Sequence, residues 1–236
     1  MEDIRELLWR IPLGTGTHQN PYGKLCVMEC VAFVAGEPHS DHPKCACDVA
    51  TALAIQANDT RLPELGAALS QRVLRLAGSN KGDAVTKERA YFLVDYIFRT
   101  LMPELLRRRA PEAGLDAPRY HAQADALAAF PPIRLDTELH KARSAWNAVG
   151  KFGVLNEYSA AKRYLTDLLY KLRIDEFRSV GETFGELDNA LGHPFNILTV
   201  LDAVLDIGDT KPVAVTEPVA KRITALARAA APALPA

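Results

Sequence analysis

Apolar residues recur at intervals of three and four positions along most of this chain, and that spacing places them on one face of an α-helix. One such series consists of Ala90, Leu93, Val94, Ile97, Phe98 and Leu101, and a second consists of Leu155, Tyr158, Leu165, Leu169, Leu172 and Phe177. The two-residue alternation typical of a half-buried strand is nearly absent. The sequence therefore predicts an all-α protein, an irregular multi-helix bundle.

Glycine and proline separate the periodic segments at residues 14–23, 36–43, 78–82, 131–132 and 208–212 and at Pro103. Because both residue types interrupt helices, these joints predict about eight or nine helices. We expect residues 1–236 to form a single α-helical domain with a soft boundary near residues 131–134, since linkers between separate domains are usually longer and more polar. Residues 231–236 have low complexity and are predicted to fray.

Charge and hydropathy argue against a nucleic-acid-binding protein and against a membrane-spanning protein. The 28 basic and 29 acidic residues leave a net charge of -1, which gives no strong nucleic-acid signal. No segment approaches the roughly 18 consecutive apolar residues of a membrane span, and the start of the chain lacks the cationic segment of a signal peptide. We expect a cytoplasmic protein with no membrane partner that binds a small-molecule or peptide ligand. The oligomeric state stays open.

All four cysteines lie in one window, residues 26–47, together with histidines and carboxylates. The residues of interest there are Cys26, Glu29, Cys30, His39, Asp41, His42, Cys45 and Cys47. In a reducing compartment such cysteines are free thiols or metal ligands more often than disulfides. Soft ligands beside carboxylates are what a metal site or an activated thiol requires, so we expect any chemistry to be located here.

The first half of this window is predicted to be a helix over residues 25–35, ended by Gly36 in the left-handed conformation. On that helix Cys26, Glu29 and Cys30 are three or four positions apart and would share one face. Cys26 would lie in the first turn, where the helix dipole favours an anion. This position predicts a lowered thiol pKa for Cys26.

The second half of the window is a turn that leads into another helix. The turn carries His39 and His42, and the helix is expected to begin near Cys45 and to run to about Asn58. A turn between two helix ends can bring side chains from both helices towards one point. We also consider His18, in the preceding glycine-rich loop, as a lid residue over this cluster.

Three ligands and a carboxylate in this arrangement suggest metal-assisted hydrolysis of a small molecule. Cys26, His42 and Cys45 would hold zinc, since tetrahedral zinc takes Cys and His at about 2.0 to 2.3 Å and a catalytic site leaves one position for water. Glu29 would act as general base for that water, and Asp41 would orient His42. The spacing matches none of the common zinc-finger or zinc-ribbon patterns.

Two other interpretations remain open. In the first, Cys26 is a nucleophile, His42 is its base and Asp41 orients the base. In the second, the cysteines are ordinary core residues and the window is a rigid helix-turn-helix corner of a non-enzymatic interaction module. Partners of such a module would dock on the long C-terminal helices.

Three segments of the window carry a resemblance: the run from Leu25 to Glu29, the triplet Gly36-Glu37-Pro38, and Ser40-Asp41-His42-Pro43 followed by Cys45. They resemble a family of uncharacterised bacterial and phage proteins whose signature reads approximately CVMEAxAxxxGEPxSDHPxC. The resemblance covers roughly the first 110 residues and implies no activity.

The same signature ranks the candidate residues. It has a small apolar residue at the position of Cys30 and an aromatic residue at the position of His39. The resemblance therefore disfavours Cys30, His39 and Cys47 as site residues. The candidates that it favours are Cys26, Glu29, Asp41, His42 and Cys45.

Overall fold

The structure is a computed structural model, and it describes residues 3–18, 24–60, 63–112, 117–149, 170, 176–190, 192 and 197–230. Within these ranges the protein is all-α, as predicted, and the only extended pairing is an isolated bridge between Leu13 and Leu25. Most of the periodic segment predicted around residues 155–177 lies outside the described residues, as does the tail at 231–236.

The α-helices are α1 (Ile4–Trp9), α2 (Val27–Ala35), α3 (Asp48–Asp59), α4 (Pro63–Ser70), α5 (Val73–Leu76), α6 (Asp83–Tyr96), α7 (Met102–Glu112), α8 (Ala117–Ala128), α9 (Asp136–Val149), α10 (Phe177–Ala190), α11 (Ile197–Asp206) and α12 (Glu217–Ala230). A π-helical turn, Ile97–Leu101, connects α6 to α7. No helix in the described part of the chain has both the length and the apolar character that crossing a membrane requires.

The chain forms two compact units, Met1–Thr86 with Asn196–Ala236, and Lys87–Phe195. The Pro131-Pro132 pair lies inside the second unit. The prediction of a single domain with a soft boundary near residues 131–134 stays a prediction.

Helix α2 is the centre of the first unit, where it packs against α3, α5 and α12. Buried residues lie on every side of this helix, Glu29 among them, and Val27, Met28, Val31 and Val34 are completely buried. Full burial of each such side chain contributes about 1.5–3 kcal/mol, before the conformational entropy of ordering it is subtracted. Packing on all sides therefore fixes the position of α2 and of the residues at its two ends.

The C-terminal end of α2 is closed by backbone geometry and by one arginine. Gly36 has a φ of 78°, as the sequence predicts for a residue that ends a helix in the left-handed conformation. Arg222, on α12, donates from Nε to the carbonyl oxygen of Val34 at 2.8 Å. A Cβ atom at position 36 would lie 3.0 Å from that guanidinium, so both space and backbone conformation favour glycine.

The second unit is built around the end of α6 and the π-helical turn. Pro103 follows this turn and has no N–H to donate to the carbonyl of Arg99, which explains why regular α-helical bonding is interrupted here. Phe98 packs its ring edge-on against Phe130, with centroids 5.1 Å apart. The carboxylate of Asp95 accepts a hydrogen bond from the amide of Ile133 at 2.8 Å and thereby fixes the segment after the proline pair.

Candidate functional site

Cys26 is the N-cap of helix α2 and does not lie in its first turn. The predicted helix start at Leu25 is therefore two residues early, since the helix begins at Val27. The amide of Glu29 donates to Cys26 Sγ at 3.4 Å, and Glu29 Oε2 accepts from the amide of Cys26 at 2.7 Å. This is a reciprocal capping box with cysteine in the place usually taken by serine or threonine.

Glu29 is buried, with 1% of its surface exposed, and collects hydrogen bonds from several directions. Its Oε1 accepts from the amide of His18 at 2.6 Å, and its Oε2 lies 2.9 Å from Nδ1 of the same histidine. On the other side, His39 Nε2 lies 3.5 Å from Oε1 and 2.5 Å from the carbonyl oxygen of His18. We call Cys26, Glu29, His18 and His39 the Glu29 cluster.

The charge of Glu29 is set by these contacts. Burial raises the pKa of Glu29, but the amides of His18 and Cys26 and the His18 imidazole outweigh it and hold that pKa below its ordinary value. Glu29 is therefore a carboxylate at neutral pH whose oxygen atoms are already occupied by protein donors. A general base needs an acceptor atom that protein donors do not already occupy, so this environment disfavours the predicted proton-transfer role of Glu29.

The loop before α2 is shaped to receive the His18 ring. A Cβ atom at Gly14 would lie 2.8 Å from two atoms of that ring, so only glycine lets the imidazole pack there. The carbonyl of Gly14 accepts from Asn58 Nδ2 at 2.7 Å, and the amide of Gly16 donates to Asp59 at 3.0 Å. The C-terminal end of α3 thus holds the loop that delivers His18 to Glu29.

Asp41 and His42 form a separate pair on the turn made by residues 37–43, which we call the 37–43 turn. His42 Nδ1 lies 2.6 Å from Asp41 Oδ1, and about a third of each side chain is exposed. The carboxylate favours a proton on Nδ1, which leaves Nε2 as the basic nitrogen. His42 Nε2 is shielded from solvent and has no hydrogen-bond partner among the described residues. The predicted orienting role of Asp41 agrees with this geometry.

Burial disfavours the thiolate form at three of the four cysteines. Burial raises the pKa of Cys26, Cys30 and Cys45 to about 12, and the carboxylate of Glu37 adds to the shift at Cys45. The prediction of a lowered pKa for Cys26 is wrong, because burial outweighs the backbone hydrogen bonds at the helix N-terminus. Cys47 is also buried and donates to Thr86 Oγ1 at 3.7 Å.

The proposed zinc ligands have different neighbours. Cys26 contacts Glu29, His42 contacts Asp41, and the Cys45 thiol lies beside Glu37. In the described ranges no group of three or more His, Cys, Asp and Glu side chains is arranged to hold a metal ion. Zinc binding by Cys26, His42 and Cys45 stays a prediction.

Sequence reasoning gave too little weight to His18 and His39. It treated His18 only as a lid residue and ranked His39 low because the family signature has an aromatic residue there. Both imidazoles contact Glu29, although His18 is 11 positions from it in sequence. The available signal was Gly14, because a glycine that lets a ring approach the backbone marks a packed loop.

No protein-family model, curated protein or solved structure matches this chain. The resemblance to the bacterial and phage family therefore depends on the quoted segments alone.

Proposed function

We propose that this chain is a small-molecule hydrolase in which His42 is the general base and Asp41 orients it. One observation carries the proposal. Asp41 occupies Nδ1 of His42, and Nε2 is left without a protein partner among the described residues. Buried polar atoms are almost always satisfied, so a water molecule or a ligand group is the natural partner of Nε2.

In the proposed reaction His42 Nε2 takes a proton from water as the water oxygen attacks the electrophilic centre of the substrate. Asp41 stabilises the imidazolium that forms, and the same proton is then passed to the leaving group. General base catalysis of this kind contributes about 10²–10⁴-fold to the rate. This assigns to His42 the proton transfer that the sequence suggested for Glu29, whose oxygens are occupied.

In the metal-assisted alternative, Cys26, Cys45 and His42 would hold zinc; because Asp41 occupies Nδ1, His42 would bind through Nε2 and would be a ligand instead of the general base. The contact between His42 Nδ1 and Asp41 supports it, because metal-binding histidines usually donate their other nitrogen to a carboxylate. Binding would have to deprotonate two thiols whose pKa is about 12, and a bound cation favours that change. Zinc would supply a water molecule of lowered pKa.

The interaction module is the second candidate function. The Glu29 cluster favours it, because Cys26, Glu29, His18 and His39 all take part in internal contacts of the fold. In that case the window would serve only to fix the corner between α2 and α3.

A panel of chromogenic esters, phosphate esters and amides, assayed with and without added zinc, tests the hydrolase. We expect His42→Gln to lower kcat about 100-fold or more on any substrate that is turned over. His140→Gln, which changes an exposed histidine on α9, is the matched control and should have no effect. Turnover that is equal in wild type and His42→Gln would contradict the role of His42. No turnover on the whole panel would favour the interaction module.

A further inference from the structure

We propose that His39 is a positioning residue for the reaction assigned to His42; this inference rests on the proposed function. Its contacts with the carbonyl of His18 and with Glu29 hold the 37–43 turn near the N-terminal end of α2. The direction in which His42 Nε2 points therefore depends on His39, which is three residues away along the chain.

The two ends of the turn are fixed independently of His39. The amide of Glu37 donates to the carbonyl of Ala32 at 2.9 Å, which continues the closure of α2. At the other end, the amide of Lys44 donates to Glu37 Oε2 at 2.7 Å, and Asn80 Nδ2 donates to the carbonyl of Lys44 at 2.7 Å. Loss of the His39 contact would therefore release the middle of the turn and leave its ends in place.

Pro43 is buried and packs the end of the turn, but few hydrogen bonds hold its middle. The amide of His42 donates to Ser40 Oγ at 3.0 Å, and its ring pairs with the adjacent Asp41. Both contacts lie within the turn, so they persist only while the turn keeps its conformation, and a turn released by loss of His39 would weaken them. Within the described part of the chain, the contacts of His39 are the hydrogen-bonding contacts that connect residues 38–43 to anything beyond residues 37–46.

The group that His39 contacts is well fixed. His39 Nε2 lies 2.5 Å from the carbonyl oxygen of His18. The amide of His18 in turn donates to Glu29. Glu29 is itself part of the capping box of a helix most of whose residues are buried. A hydrogen bond from the turn to this acceptor therefore restricts where the turn can lie, as supporting hydrogen bonds do for catalytic side chains.

His39 does not contact the atoms that would react, so its role differs from that of His42. A glutamine has an amide N–H that can take the place of Nε2–H as donor to the carbonyl of His18, whereas leucine keeps the bulk and loses the donor. His39→Gln should therefore preserve the position of His42, and His39→Leu should not. A residue that only filled space would respond in the same way to both changes.

Nuclear magnetic resonance of the full chain with ¹⁵N-labelled histidine tests this without a substrate. In His39→Leu we expect amide hydrogen exchange at His42 to rise about tenfold, the factor that corresponds to loss of one net hydrogen bond. We also expect the ring nitrogens of His42 to lose their preference for a proton on Nδ1. His39→Gln should restore most of both values, and the matched control His140→Leu should leave them unchanged.

Far-ultraviolet circular dichroism confirms that each variant is folded. If His39→Leu does not fold, His39→Asn replaces it, because asparagine keeps an amide that is too short to reach the carbonyl of His18. Unchanged exchange and tautomer preference at His42 in the folded variant would overturn the inference, even if His42→Gln abolishes hydrolysis. The predicted changes would support the positioning contact, and the substrate panel separately decides whether His42 is a base.

Discussion

Replacing Glu29 by glutamine is the most direct test of the Glu29 cluster, because it changes one oxygen atom to an NH₂ group at nearly constant volume. The carboxylate accepts from the amide of His18 at 2.6 Å, from the amide of Cys26 at 2.7 Å and from the His18 ring at 2.9 Å. Glutamine has one acceptor oxygen for these three donors. In either orientation of the amide, one backbone N–H faces an NH₂ group: the buried amide of Cys26 or the partly buried amide of His18.

The expected loss of stability follows from the number of backbone N–H groups left without an acceptor. An unsatisfied buried N–H costs about 1–3 kcal/mol, and the bonds that remain lose the extra strength that the negative charge gave them. We expect Glu29→Gln to lower the free energy of unfolding by about 2–4 kcal/mol. For a chain of this size that corresponds to a decrease in Tm of about 4–16 °C.

The assay is urea unfolding of wild type and Glu29→Gln, followed by circular dichroism. Glu186→Gln, at an exposed position of α10, is the matched control and should change stability by less than about 0.5 kcal/mol. If Glu29→Gln is no more destabilising than this control, the hydrogen bonds assigned to Glu29 do not hold the loop and helix together.

The same residue predicts a pH dependence. The pKa of Glu29 is lowered in the folded state, so the unfolded chain binds more protons than the folded one as the pH falls below the ordinary value of 4.5. The stability that Glu29 contributes is therefore present above that pH and is lost as the pH falls through the folded-state pKa. Glu29→Gln should show a weaker loss of stability over this acidic range. Identical pH profiles would contradict the direction of the pKa shift.

Three further predictions concern the loop, the thiols and the metal. Gly14→Ala should destabilise the protein by about 1–3 kcal/mol, because the new Cβ would overlap the His18 ring. Gly66→Ala is the control: nothing lies within 4 Å of that position, so alanine should stabilise helix α4 by up to about 1 kcal/mol. Thermal unfolding measures both changes. Iodoacetamide should label Cys26 and Cys45 slowly at pH 8, because their pKa is about 12. Rapid labelling of Cys26 would instead support the hypothesis that Cys26 is a nucleophile. The metal-assisted form of the proposal predicts about one zinc ion per chain by elemental analysis and its loss in Cys45→Ser, and well-folded protein with far less zinc would count against it.

Local patterns in the sequence were sufficient to predict the all-α class and some of the helices. The series from Ala90 to Leu101 identified the helical run that ends in the π-helical turn, since periodicity needs only the residues of one segment. Gly36 identified the end of α2 for the same reason. The second helix of the window begins at Asp48, three residues after the predicted start near Cys45, because residues 43–46 form a separate turn.

The candidate site was only partly predictable, because its contacts join residues that are distant in sequence. Cys26 and Glu29 were recognised as a pair, but cysteine is an unusual N-cap, so their spacing suggested a ligand and a base instead of a capping box. The contact between His18 and Glu29 depends on how the loop packs on α3, which no local pattern encodes. Asp41 and His42 are adjacent, so their contact could be suggested from local sequence, while the orienting role of Asp41 stays a prediction.

The identity of the cap gives a physical reason for a buried carboxylate in this apolar part of the first unit. Sulfur is a weak acceptor, so Cys26 satisfies the amide of Glu29 only partly, at 3.4 Å. The stronger half of the capping box is the carboxylate, which binds the amide of Cys26 and, in addition, both polar groups of His18. Because the helix N-terminus and the loop share one charged acceptor, neither can move without exposing a buried N–H of the other. The carbonyl of His18 that His39 contacts belongs to this same set of hydrogen bonds, so the proposed role of His42 depends on the turn that His39 connects to it.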